Sequence, residues 1–131
     1  MILLDTHVLL WLCVEPQRLS RPATTAIKRA VSAGGVAIAS ISLWEIAMLI
    51  ALGRLSIREP PEAWIARLLV SSGVVVKDLT PAVAVLSTQF PADFPHDPAD
   101  RLIAATARVH DLTLATRDRK IRSSTLIQTI W

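Results

Sequence analysis

Four short, nearly unbroken apolar runs punctuate this chain: "MILLD" (1–5), "VAIAS" (36–40), "VVVKDL" (74–79) and "LTLAT" (112–116). Between them, apolar residues recur at helical spacing. A strand that is apolar on both sides has no face to offer water, so it belongs in a sheet covered by helices above and below. Strands that alternate with helices are joined by crossovers, and crossovers bring them into parallel register. The pattern predicts an α/β fold: three α/β/α layers around a mostly parallel sheet of four strands, or five if "LIQTIW" (126–131) adds a short one.

The punctuation between the runs agrees. "THVLLWLCV" reads as a helix broken near Glu15 and Pro16, and "SRPATTAIKRAVSAG" (20–34) as one capped by Ser20 and stopped at Gly34. "SLWEIAMLIALG" reads as a buried helix with Ser42 as its N-cap and Gly53 at its end. "PPEAWIARLLVSSG" (60–73) starts on proline and ends on glycine, and "TPAVAVLSTQ" has Thr80 as cap and Pro81 at the first helical position. In "PHDPADRLIAATAR" (95–108), Asp97 is the N-cap, Pro98 is N1 and Asp100 is N3, where an acid suits the helix dipole. No repeat or linker divides the sequence, so residues 1–131 are expected to form one domain.

Composition bounds the class. Apolar residues make up 52% of the chain, above the usual share of roughly 45–50%, which leaves apolar surface for a partner or a second copy. The single cysteine, Cys13, excludes an internal disulfide and a cysteine-based zinc site and fits a reducing cytoplasm. The apolar start is interrupted by Asp5 and lacks a basic lead and a cleavage site, and residues 41–53 are too short for a membrane span and contain Glu45. The expectation is a cytoplasmic protein with no membrane association.

The acids carry the chemistry. Asp5 ends the first predicted strand, Asp118 lies two residues past the fourth, and Glu45 lies one turn into the helix after the second. Ligands of open parallel sheets bind outside the carboxyl ends of the strands, so these three acids are sent to one edge. Asp100 joins them if its helix packs alongside. Asp5 and Glu45 sit among apolar residues, where an ionised carboxylate is costly unless it is paired or holds a cation. The plainer alternatives are a helix-capping Asp5 and a Glu45 paired with an arginine. Carboxylates that converge without partners raise one another's pKa, and a divalent cation relieves the repulsion. All-oxygen ligation suits Mg²⁺ or Mn²⁺, and His7, His96 and His110 are scattered without a zinc pattern. Such a site points to phosphodiester hydrolysis by metal-activated water. No GxSxG, P-loop or GxGxxG signature competes.

Thr6 and Thr116 adjoin Asp5 and Asp118 and either orient a carboxylate or cap the following helices. Of 14 basic and 11 acidic residues, setting aside the four acids leaves 14 against 7, or +7, on the remaining surface. Arg101, Arg108, Arg117, Arg119, Lys120 and Arg122 cluster in the last quarter, a distribution that suits a polyanion. Arg101 has two further options, a pair with Asp97 or a substrate phosphate. Trp11, Trp44, Trp64 and Trp131 are expected in the core or at an interface rather than as base-stacking platforms.

"LLDTHVLLW", "SISLWEIAMLIALGRL", "DPADRLIAATA" and "LATRDRKI" together resemble, in order and spacing, the four motif blocks of PIN-domain proteins, and more narrowly the VapC-type toxins of bacterial type II toxin–antitoxin systems. The resemblance spans nearly the whole chain. It implies a Mg²⁺- or Mn²⁺-dependent endoribonuclease, usually dimeric, held inactive by a VapB-like antitoxin. Matched position by position, it makes Asp5, Glu45, Asp100 and Asp118 the acidic quartet. Asp5 and Asp100 are then the principal metal ligands, with Glu45 and Asp118 acting directly or through water. Thr6, Asp97 and Thr116 are supporting residues, and Arg101, Arg117, Arg119 and Lys120 are candidates for holding RNA. The family's histidine two residues before the first Asp of the D-P-x-D-R block is replaced by Pro95, with His96 beside Asp97. Two rivals remain: a domain phosphorylated on aspartate, against which the absence of a DxDx[TV] block counts, and a non-catalytic RNA- or protein-binding module on a nuclease-like scaffold.

Overall fold

In the computed structural model, which describes residues 1–131, strand β1 (Ile2–Leu4) buries all three of its residues. Ile2 and Leu4 face one layer and Leu3 the other, as the two-residue period of a strand requires. The chain continues through α1 (Thr6–Val14), a 3-10 turn (Pro16–Arg18), α2 (Arg21–Ser32), β2 (Val36–Ala39), α3 (Ile41–Ala51) and α4 (Pro61–Ser72). Then come β3 (Val75–Lys77), α5 (Pro81–Ser87), α6 (Pro98–Val109), β4 (Thr113–Ala115), α7 (Arg119–Arg122) and β5 (Thr129–Ile130). The sheet order is β3-β2-β1-β4-β5, and every neighbouring pair is parallel, so the sheet has five strands and no antiparallel member.

Two apolar clusters flank the sheet. Ile2, Leu4, Val36 and Ile38 pack with Val8, Leu9 and Leu10 of α1, Ile27 of α2, Ile46 of α3 and Leu68 of α4. On the opposite face, Leu3, Ala37 and Ala39 meet Val83 of α5, Ile103, Ala104 and Ala107 of α6 and Ile121 of α7. Small residues on both sides of this second contact let α6 approach the sheet closely, which seats its N-terminus beside the strand ends.

The expected caps appear at Ser20, Thr80 and Asp97, whose side chains accept from the amides of Ala23, Val83 and Ala99. Gly73 ends α4 in the left-handed conformation at φ 66°. Two details differ from the sequence reading. Ser42 is not the N-cap: Ser40 holds that position between β2 and α3, and Ser42 is fully buried within the helix. The four-residue α7 has no counterpart in the sequence pattern, because its "RKIR" is too short to carry a helical period. No helix is long and apolar enough to cross a membrane.

Candidate active site

The strand order sets the location. From β1 the chain steps outward to β2 and β3, then returns to place β4 on the other side of β1. A crevice opens at the carboxyl ends of β1 and β4, where the crossovers diverge. Asp5 follows β1 and continues the ladder through its amide, which donates to Ala115 O at 3.0 Å. Thr116 follows β4 and donates from Oγ1 to Asp5 Oδ2 at 2.8 Å. The Thr6 amide holds the other oxygen, Oδ1, at 2.8 Å. Both oxygens of Asp5 are thus oriented from within, and Asp5 is also the N-cap of α1. The capping and site roles of this residue coexist.

Glu45 arrives from α3. The buried Thr6 hydroxyl donates to Glu45 Oε1 at 2.5 Å and lies 2.8 Å from the Ser42 hydroxyl. With one proton to give, Thr6 accepts from Ser42 in turn. No arginine pairs with Glu45, since the only ion pairs are Arg18–Glu15 and Arg67–Glu59. Asp118 caps α7, accepting from the amides of Lys120 and Ile121 at 2.8 and 3.0 Å, and its own amide donates to Thr116 Oγ1 at 3.1 Å. Thr116 therefore links Asp5 to the Asp118 turn. Asp97 opens α6, and Asp100 stands in its first turn.

These five carboxylates, Asp5, Glu45, Asp97, Asp100 and Asp118, line one open cavity of about 850 Å³. Burial raises the pKa of Asp5 despite the bonds from Thr116 and Thr6. Burial also raises Glu45, with Asp5 and Asp97 adding repulsion. Asp100 is pushed up to about 7, first by burial and then by Asp97, Asp5, Asp118 and Glu45. Mutual repulsion among these acids, which His7 offsets in part at Asp5 and Glu45, is what a divalent cation removes. The carboxylates offer oxygen donors, which suit a hard cation, and His7 is the one nitrogen donor of the lining that is not an arginine or an indole. No three of these side chains converge tightly enough to form a ligand shell by themselves.

The predicted cations divide. Arg117 and Arg119 line the cavity, joined by Arg122. Arg101 is elsewhere: its guanidinium donates to the carbonyls of Pro95 at 2.8 Å, Phe90 at 3.3 Å, Pro91 at 3.4 Å and Phe94 at 3.5 Å. It makes neither the pair with Asp97 nor an approach to the cavity, because the loop before α6 consumes its donors. Lys120 lies on the far side of α7, in a separate hollow with Asp93 and Phe94. His96 turns back on its own loop, with Nε2 2.9 Å from Ala92 O. His7, Trp11 and Trp131 line the cavity, and the sequence reading assigned none of them to the site. The signal for two of them was available, since His7 and Trp11 are one turn apart on α1, directly after Asp5. For Trp131 no local signal exists.

A family model described as the PIN domain matches residues 2–124. The chain belongs to the PIN-domain family. Ribonuclease VapC22 of Mycobacterium tuberculosis is 43% identical over 122 residues, covering 93% of this chain and 90% of that protein. This PIN-domain chain is therefore a homologue of a VapC ribonuclease. Its fold is similar to a chain of the Rickettsia felis VapBC2 structure bound to a promoter DNA fragment, at TM-score 0.73 and 17% identity, covering 98% of this chain and 97% of that one. DNA-bound VapBC from Salmonella typhimurium gives TM-score 0.70 at 22% identity, with 98% and 97% covered. At those identities the likeness is one of PIN fold.

Proposed function

We propose that the cavity at the carboxyl ends of β1 and β4 is the active site of a metal-dependent endoribonuclease, the toxin of a VapBC-like pair. One observation carries the reading: acids from four separated segments meet in one cavity, unpaired by any base, with three of them raised in pKa by burial and mutual repulsion. Asp5 and Asp100 would hold Mg²⁺ or Mn²⁺, with Glu45 and Asp118 binding it directly or through water. When bound, such a cation supplies an acidified water and neutralises charge on the phosphate. The chain's own part is orientation. Thr116 and the Thr6 amide aim Asp5, the Thr6 hydroxyl aims Glu45, and Arg117 and Arg119 attract the RNA backbone. Asp97 fixes the start of α6 and adds negative charge beside Asp100.

The test is cleavage of a broad RNA panel with Mn²⁺ by the antitoxin-free protein and by Asp5→Asn. Wild-type cleavage that disappears in a folded Asp5→Asn variant is expected. A folded Asp5→Asn protein that cleaves normally would overturn the mechanism. Intact RNA throughout would favour the non-catalytic RNA- or protein-binding module.

The partner is a VapB-like antitoxin, and the protein forms a homodimer in the cytoplasm. Support comes from the VapBC complexes among its structural neighbours and from Trp44, Met48 and Leu52. These are exposed at four-residue spacing along one side of α3 and at the residue that caps its end. Sedimentation showing a monomer at high micromolar concentration would refute the dimer. Absence of a small antitoxin-like reading frame beside the gene would count against the pairing.

A further inference from the structure

Beyond the acids, the cavity continues into a groove. Trp131, Arg119 and Arg122 line both the acidic cavity and an adjoining hollow of about 380 Å³, which also contains Thr129 and Ile130. Ile130 in turn lines a third hollow of about 390 Å³ with Arg21, Thr25 and Arg29 of α2. Neighbouring hollows thus share lining residues from the carboxylates, past β5 at the sheet edge, to α2. After the acidic cavity no Asp or Glu side chain lines these hollows. None of their four arginines is in an ion pair, as the two ion pairs of the protein involve Arg18 and Arg67.

At the junction stand two half-buried indoles. Trp11 and Trp131 lie 5.7 Å apart between ring centroids, tilted by 58°. Trp11 already has the guanidinium groups of Arg18 and Arg117 over it, at 5.1 and 5.9 Å, so it acts as a brace. Trp131 has no cation over its ring and borders both the acids and the groove. A partly exposed aromatic face beside free arginines is the equipment for unpaired nucleotides: stacking takes the base and guanidinium takes the phosphates.

We infer that Trp131, braced by Trp11, is a stacking platform for a nucleobase of single-stranded RNA next to the scissile phosphate. The strand leaves the cavity along the groove past Arg119 and Arg122 toward Arg21 and Arg29. This rests on the ribonuclease reading and adds to it only the residue that holds the base, since a duplex keeps its bases stacked on one another and offers the groove phosphates only.

The test is binding of a short, mixed-sequence, fluorescein-labelled oligoribonucleotide to the full chain in chelator, where no cleavage occurs, with the same sequence as a duplex in parallel. Tryptophan fluorescence should be quenched by the single strand. Trp131→Ala should weaken single-strand binding roughly tenfold or more, Trp131→Phe should retain most of it, and duplex binding should ignore both. Arg21→Glu with Arg29→Glu, on the exposed side of α2, should weaken binding and flatten the salt dependence by about 1.4 in log–log slope. These surface changes and Trp131→Phe keep the inference testable if Trp131→Ala fails to fold. Single-strand binding indifferent to all of these variants would overturn it, as would loss of antitoxin binding with RNA binding unchanged. Variant-sensitive binding without cleavage on adding Mn²⁺ upholds the groove and removes the nuclease. Cleavage with variant-insensitive binding does the reverse.

Discussion

Thr116 is the residue on which the geometry of two acids depends. Its single hydroxyl donates to Asp5 Oδ2 and accepts from the Asp118 amide, so one side chain ties the end of β1 to the start of α7. Thr116→Val keeps the shape and removes both bonds. We expect a loss of about 1–3 kcal/mol in denaturant titration, a further rise in the Asp5 pKa and weaker metal binding, with Thr116→Ser restoring most of each. Asp100 supplies a pH dependence. Its carboxyl has an ordinary value of 3.8 and is pushed up to about 7 in the fold. Between those values the folded state holds a proton that the unfolded state has released, so stability falls as pH rises through that window. The metal-free protein should therefore melt at higher temperature at about pH 5 than at about pH 8. Asp100→Asn should flatten the profile and raise the melting temperature at the higher pH. Saturating Mn²⁺ should also flatten it in the wild type. A profile unchanged by Asp100→Asn would show that another group titrates.

The loop before α6 works as an element because Arg101 gathers it. Four carbonyls from Phe90 to Pro95 converge on one guanidinium, which also lies 6.0 Å from the centroid of the Phe94 ring. Phe94 itself stacks on Phe90, so the loop is pinned from inside and delivers Asp97 to the cavity. Arg101→Lys preserves charge and loses the planar fork. It should speed proteolysis within residues 90–96 and lower cleavage. If Arg101 instead held substrate phosphate, the lysine variant would keep loop protection and lose RNA affinity alone. Ser42 makes a related point about α3: at the sequence level it resembles a cap, yet within the fold it is the hidden partner of Thr6.

For the whole molecule, the decisive feature is the return of the chain from β3 to β4 across β1. It puts the carboxyl ends of two strands from opposite ends of the sequence side by side, and α6 must lie close to the sheet for Asp100 to reach them. Ala104, wholly buried between α6 and the sheet, permits that approach. Ala104→Leu should cost about 1–3 kcal/mol by overpacking, and it should also reduce cleavage by lifting α6. Retention of full cleavage by a destabilised Ala104→Leu protein would show that the seat of α6 does not limit the site.

By itself, the sequence determined the layer architecture, because continuous apolar runs such as "MILL" and "VAIA" can be buried only between helices. It also determined the caps at Ser20, Thr80 and Asp97, which are local chemistry, and its motif blocks single out four acids that the fold brings to one cavity. The tertiary structure decided the rest. Which threonine serves which carboxylate depends on contacts such as Thr6–Glu45 and Thr116–Asp5, 39 and 111 residues apart, and no local period encodes those. The same holds for the cations. Arg101 is drawn to its own loop, Lys120 faces away around the short turn of α7, and Trp131 reaches the acids only because β5 pairs with β4. A side chain's type is written along the chain, but its partner is set by the strand order that folds distant segments to one edge.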